Sequence, residues 1–279
     1  MLFLMIAMVP TLRQLVLGLS ATVLLQGCGP AANQNPVSNT DSRADSANVL
    51  TLNIATEPTF PPFEYEGEDG KLEGFDLDLM SAIAEAGEFE VVYESLPFDG
   101  IIPALQSGTV DGAISAITIT AERAQVVDFS RPYFRSGLSI AVAINNTTIE
   151  TIEDLTDQKI AVQIGTTGAD QAATIPGAQI STFDSTATAL QELANGNVDA
   201  VINDAPVTLE AIALGNLTNV KVVGTFLTEE FYGIALPKGS EHLDTIDTAL
   251  ETILQDGTYD QIHQKWFGPV SGELPDTAL

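Results

Sequence analysis

Cationic side chains are scarce in this chain: 10 Lys and Arg stand against 38 Asp and Glu over 279 residues, a formal charge of −28. Nucleic acid and anionic membrane surfaces are bound mainly through Lys and Arg, so the composition argues against both as partners of the folded body. Cysteine is nearly absent as well. A single thiol, Cys28, cannot close an internal disulfide, so the fold depends on its apolar core alone. Two histidines, His242 and His263, both lie toward the C-terminus, which leaves neither a cysteine–histidine dyad nor a metal cluster with the ligands it needs. No cofactor and no metal are expected. The apolar stretch after Arg13, LVLGLSATVLL, is shorter than the roughly 20 residues of a spanning helix. What the chain does have is core material: 45% hydrophobic against 17% charged residues, enough for one large domain or two modest ones.

The N-terminal segment has its own character. Arg13, the apolar stretch and then Leu25-Gln26-Gly27-Cys28 resemble the signal and lipobox of bacterial lipoproteins, in which the cysteine becomes the acylated first residue of the mature chain. That resemblance implies a signal peptide over 1–27 and a membrane anchor through lipid on Cys28. MLFLMIA precedes the charged segment and places a second candidate start at Met8. Residues 28–48 are polar with almost nothing to bury; as a flexible tether they span roughly 25 Å.

From Val49 short apolar strands alternate with helical spacing, the pattern of an α/β fold. Strands are expected at 49–55, 89–93, 159–163, 179–183 and 200–202, and helices over 76–86, from 100, from about 169 and over 185–194. Two stretches repeat, ALQSGTVDGAIS (104–115) and ELANGNVDAVIN (192–203). In each, a helix runs to a glycine suited to the left-handed cap, Gly108 or Gly196, and Val-Asp then turns the chain into a buried strand. The repetition favours two similar lobes. One cation stands out against the acidic background, Arg123 in ITITAER. With Thr120 as N-cap and Ala121 as first helical residue, it falls in a first helical turn, where the macrodipole disfavours a cation by about 0.3–1 kcal/mol. A residue in a locally unfavourable place points to a role outside the chain, with pairing to Glu122 or Asp128 as the structural alternative.

Six ordered blocks carry a resemblance: ATEPTFPPFEYEGEDGKLEGFDLDLMSAIA, PFDGIIPALQSGTVDGAISAITITAERAQVVDFSRPYF, AVQIGTTGAD, NGNVDAVINDAP, FYGIALPKGS and DGTYDQIHQKWFG. Together they are similar to the periplasmic amino-acid-binding proteins of ABC importers, over about 49–268. The resemblance implies an α/β fold of two lobes joined by two hinge strands, near 133–139 and 229–234, with the ligand enclosed between the lobes. Lobe one would take 49–134 and 233–268, lobe two 137–229, and 269–279 would form a C-terminal tail.

It also implies a ligand set. Arg123, with Thr118 and Ala116, would take the α-carboxylate of an L-amino acid, assisted from the other lobe by the turn holding Thr166 and Thr167. Asp204 would take the α-ammonium group. Phe60 and Phe98 would sandwich the aliphatic part, and Glu57, Gln163 and Asn203 would meet the distal end. Glu57 is acidic where basic-amino-acid and glutamine binders are acidic, Gln163 departs from the lysine of glutamine binders, and Asn203 is neutral. An acidic ligand would bring an unpaired carboxylate beside Glu57. The expected ligand is therefore arginine, lysine, histidine or glutamine. The expected partners are an ABC permease with its ATPase, and the expected location is the periplasmic or cell-surface side of the plasma membrane. The Gly165–Asp170 turn does not have the spacing of a nucleotide P-loop. A cyclohexadienyl-dehydratase-like enzyme on the same fold, or an amino-acid sensor without transport, is the alternative; no acid–base pair with catalytic spacing is apparent beyond the binding set, so no enzyme is expected.

Overall fold

The computed structural model describes residues 49–214, 217–224, 226–270 and 272–279. The signal, lipobox and tether readings lie outside the described residues. In chain order the first half holds β1 (Thr51–Thr56), β2 (Thr59–Phe60), β3 (Glu64–Glu66), β4 (Leu72–Glu73), α1 (Phe75–Ala86), β5 (Glu90–Ser95), α2 (Phe98–Ser107), β6 (Gly112–Ala113), β7 (Val127–Phe129) and β8 (Phe134–Ser136). Next come β9 (Leu138–Ala143), β10 (Lys159–Gln163), α3 (Thr167–Ala173), β11 (Gln179–Phe183), α4 (Thr186–Ala194), β12 (Ala200–Asp204), α5 (Ala205–Ala213) and β13 (Val220–Val223). The chain then returns through β14 (Glu230–Tyr232) and β15 (Ala235–Pro237) to α6 (Leu243–Asp256) and α7 (Thr258–Phe267).

Two five-stranded sheets result, ordered β5-β1-β6-β15-β7 and β11-β10-β12-β9-β13. Each is built on three parallel strands in the same sequence order, followed by an antiparallel neighbour that comes from elsewhere in the chain, β15 in one lobe and β9 in the other. The repeat extends to single atoms. Asp111 accepts from the backbone N–H of Asn53 at 2.8 Å, and Asp199 accepts from that of Lys159 at 2.9 Å. Each aspartate thus ties the entrance of a third parallel strand to the first. Gly108 and Gly196 both take positive φ, 68° and 77°, as a left-handed turn after a helix requires.

Strands β8 and β14 pair antiparallel between the two sheets, with Glu230 opposite Ser136 and Tyr232 opposite Phe134. Here the chain approaches itself closely: a Cβ on Gly137 would stand 2.2 Å from the carbonyl oxygen of Thr228, so only glycine fits. Phe63, Phe75, Phe134 and Tyr232 form the aromatic core beside this pair, with Phe267 packed against them. Trp266 donates to Asp78 at 2.7 Å, fixing the last helix on α1.

One local expectation is corrected. Arg123 does not enter an α-helix; it opens a three-residue 3-10 turn, Arg123–Gln125, and the chain passes at once into β7. Thr120 still accepts from the Arg123 N–H at 3.1 Å, but one turn carries little aligned dipole. The macrodipole penalty therefore does not apply, and the position of Arg123 has to be explained by its contacts.

Candidate ligand site

The C-terminal ends of the parallel strands in both sheets converge, the usual place for ligands in open α/β sheets. Strand β1 leads to Glu57, β6 to Ala116 and Thr118, β10 ends at Gln163, and β12 ends at Asp204. Phe60, Phe98, Ala116, Thr118, Arg123, Gln163, Thr166, Thr167 and Asp204 line one pocket. It is contracted. About 10 Å³ of it is open to the centre of a water molecule, roughly room for one water, so an amino acid enters only if the lobes part.

Arg123 is held at both ends of its guanidinium. Nη1 donates to the Thr118 carbonyl at 2.8 Å, and Nη2 donates across the cleft to the Gly165 carbonyl at 2.9 Å. Gly165 takes φ +77°, which presents that carbonyl without Cβ strain. The Phe98 ring lies 5.4 Å below the guanidinium carbon, within cation–π range. Burial lowers the pKa of Arg123, and Asp170, Asp204 and Glu230 act against that. Neither structural alternative for this arginine is realised, because Asp128 pairs with Lys238 at 2.7 Å and Arg123 makes no ion pair among the described residues.

Asp204 stands at the N-cap position of α5, before Ala205 and Pro206, yet its carboxylate caps nothing. It accepts instead from the Tyr232 hydroxyl at 2.8 Å. Burial raises its pKa to about 7, Glu230 adds to the effect, and Tyr232 and Arg123 oppose it. A desolvated carboxylate with one neutral donor is poised to gain from an arriving cation.

Glu57 and Asn203 do not line this pocket. Glu57 lines an adjoining, more open hollow of about 280 Å³ with Pro58, Thr59, Pro97, Asp184 and Ser185. Gln163 stands between: its Nε2 lies 3.4 Å from Glu57 Oε2 and donates to the Asp184 carbonyl at 3.1 Å. Behind it the Thr186 hydroxyl lies 2.9 Å from both Gln163 Oε1 and Asn203 Oδ1. Asn203 is thereby a supporting residue, its amide donating to the Asp204 carbonyl and Thr208 at 3.2 Å each. The Glu57 pKa is raised by burial, against hydrogen bonds from Thr59 and Gln163.

The threonine hydroxyls are also spoken for. Thr166 caps α3 by accepting from the Ala169 N–H at 3.2 Å and donates to the Gln163 carbonyl at 2.8 Å. Thr118 and Thr167 both donate to Glu230. Glu230 and Tyr232 are the site residues the sequence reading missed. In a chain with 38 acids one more glutamate in a strand carries no signal, and Tyr232 reads as an ordinary core aromatic.

Beneath the first lobe's side of the pocket lies a second polar cluster. Ala116, at φ +46°, donates its N–H to Asp76 at 2.8 Å, and Tyr133 donates to the same oxygen at 2.8 Å. Ser115 links the Glu57 N–H to Glu64, at 2.9 Å on each side. Glu64 Oε2 and Asp76 Oδ1 are buried without a hydrogen-bond partner among the described residues, and burial raises both pKa values, that of Asp76 to about 7, with the Asp76 carboxylate pushing Glu64 up further.

A family model, the bacterial extracellular solute-binding proteins of family 3, matches residues 52–269. The L-cystine-binding protein TcyJ of Escherichia coli K12 is 31% identical over 261 residues, covering 92% of this chain and 96% of TcyJ. ABC transporter arginine-binding protein 1 of the same strain is 32% identical over 229 residues, covering 77% of this chain and 90% of its own. Among solved structures, an ancestral arginine-binding protein bound to arginine is 47% identical, with a TM-score of 0.75 over 78% of this chain and 98% of its own. The arginine-, lysine-, histidine-binding protein ArtJ from Geobacillus stearothermophilus is 36% identical, with a TM-score of 0.75 over 81% and 96%. The ancestral amino acid-binding protein AncCDT-1, a precursor of cyclohexadienyl dehydratase, is 40% identical, with a TM-score of 0.72 over 78% and 95%. Two α/β lobes with their strand ends turned to one cleft, and a family match over almost all the described residues, lead to one conclusion: this chain belongs to the bacterial extracellular solute-binding proteins of family 3, among amino-acid-binding proteins of ABC transporters.

Proposed function

We propose that the chain captures an L-amino acid with a cationic or polar neutral side chain, from the set arginine, lysine, histidine and glutamine, and delivers it to an ABC permease and its ATPase. The carrying observation is the charge arrangement of the cleft. One partly buried cation, Arg123, is set among the buried carboxylates Glu57, Asp204 and Glu230. The ligand carboxylate pairs with Arg123, the α-ammonium with Asp204, and the distal group reaches Glu57 past Gln163; Phe60 and Phe98 enclose the aliphatic part. Capture requires the contacts Arg123–Gly165 and Glu57–Gln163 to open and close around the ligand. We assign lobe one to 49–134 and 233–268, and lobe two to 137–229.

A thermal-shift screen of all twenty amino acids tests the reading, because a ligand specific for the native state raises the melting temperature by mass action. Arginine or another member of the set gives the largest shift. A largest shift from glutamate or aspartate defeats it. The likeness to AncCDT-1 favours asking about dehydration, but that protein is itself described as amino-acid-binding, and the Asp204–Tyr232 pair suits an ammonium group. Prephenate turnover is expected to be absent. The same reading places the protein outside the cytoplasm, made with a signal peptide and held by acyl chains on Cys28.

A further inference from the structure

The hinge pair carries a carboxylate to which the ligand reading assigns no group of the ligand. Glu230 in β14 is 8% exposed. Its Oε2 accepts from two hydroxyls, Thr118 at 2.9 Å and Thr167 at 3.0 Å, and Thr228 lies 3.1 Å from its Oε1. Thr118 follows the third strand of the first sheet, whereas Thr167 opens α3 on the second. One oxygen atom is therefore shared by a donor from each lobe. Both donors lie on rigid supports: Thr118 bridges to Tyr232 in the hinge, and Thr167 follows the capping residue of a helix.

We propose that Glu230 is a positioning residue that latches the closed state from the hinge and orients the two pocket hydroxyls. The geometry has two consequences. An acceptor that holds Thr118 and Thr167 together stabilises closure without any ligand, since parting the lobes separates the two donors and breaks at least one bond. Each threonine has one hydroxyl proton, and with that proton committed to Glu230 both oxygens turn lone pairs toward the pocket, where they accept from a ligand. The second consequence rests on the cleft being the ligand site; the first does not.

The test is a distance measurement between spin labels on the full chain, in a Cys28→Ser background, at Glu94→Cys on one sheet and Ser181→Cys on the other. Without ligand, Glu230→Ala lowers the ratio of closed to open molecules by about two- to tenfold, the range expected for one net hydrogen bond. Glu230→Gln keeps an acceptor for one threonine and a donor to the other, so it stays nearer the parent protein than to the alanine variant. Thr167→Val reproduces the alanine effect by removing one arm and adds little to Glu230→Ala, which also keeps the test open should the alanine variant fold poorly. An unchanged ligand-free distribution in both Glu230→Ala and Thr167→Val overturns the latch. A glutamine variant equal to alanine overturns it too, since the effect then belongs to charge. With L-arginine as probe, Glu230→Ala raises the dissociation rate more than it lowers the association rate. If none of the twenty amino acids binds the parent protein, the functional reading fails while the ligand-free comparison still decides the latch.

Discussion

Arg123 shows how one side chain serves two geometries. In this closed arrangement its guanidinium spends its donors on two carbonyls, Thr118 and Gly165, and a ligand carboxylate would replace neutral acceptors with a charged one, the stronger partner. As the proposed partner of the ligand's ammonium group, Asp204 would make the site sensitive to acid. Its pKa of about 7 lies above its ordinary 3.8 because burial penalises the ionised form, and a bound ammonium group would lower it. Ligand affinity therefore falls as pH drops below about 7, and binding near pH 6 releases protons. Calorimetry in buffers of differing ionisation enthalpy measures that release; heats independent of the buffer would remove Asp204 from the ammonium site. Glu57 is tested separately. Glu57→Gln should weaken a cationic amino acid by about 1.5–3 kcal/mol, the worth of a charge-assisted hydrogen bond, and glutamine by less, as titration of both proteins would show.

At the scale of elements, the loop between β6 and the 3-10 turn holds Ala116 and Thr118 against the pocket, and Asp76 on α1 supports it from below. The folded-state pKa of Asp76, about 7, exceeds its ordinary 3.8. Between those values the folded chain holds a proton that the unfolded chain has released, so this group makes stability fall as pH rises from about 4 to about 7. Asp76→Asn keeps an acceptor for Ala116 and Tyr133 and offers Glu64 a permanent donor. The variant is expected to melt above the parent protein at pH 8, with the difference shrinking toward pH 4. Melting curves that stay parallel across this range would show that the pair holds no extra proton.

The whole molecule is two copies of one design joined by a strand pair, and its function needs both copies at once. No wall of the pocket is complete on one lobe: Arg123 and Phe98 come from the first, Gln163 and Asp204 from the second. Anchoring belongs to this scale as well. Several acyl chains on Cys28 would hold the protein in the membrane fraction far more firmly than one, and Cys28→Ser should leave it as precursor or release it. Wild-type protein recovered freely soluble, with cleavage elsewhere than before Cys28, would defeat that reading.

Sequence by itself determined the α/β class, the repeated Gly-x-Val-Asp turn and two runs of elements, β1, α1, β5 and α2 in one lobe and β10, α3, β11, α4 and β12 in the other. These are set by local rules: apolar alternation, glycine at positive φ, and strand lengths that leave little choice. Strands 159–163 and 179–183 appear at their expected limits, and Ser185 caps the helix expected to begin there by accepting from the Thr188 N–H. Arg123 and Asp204 stood out because rare or well-placed charges are conspicuous in motif blocks, and both line the pocket. Local rules failed at Arg123, where the cap formed but the helix did not, because the chain is drawn into β7 and paired with β15. Tertiary structure alone decided that Asn203 supports rather than lines the pocket, that Gln163 stands between it and Glu57, and that Glu230 and Tyr232 belong to the site. The contacts of Gln163, Glu230 and Tyr232 join residues from 28 to 112 positions apart, and the meeting of two sheets is a long-range event that no window of sequence contains.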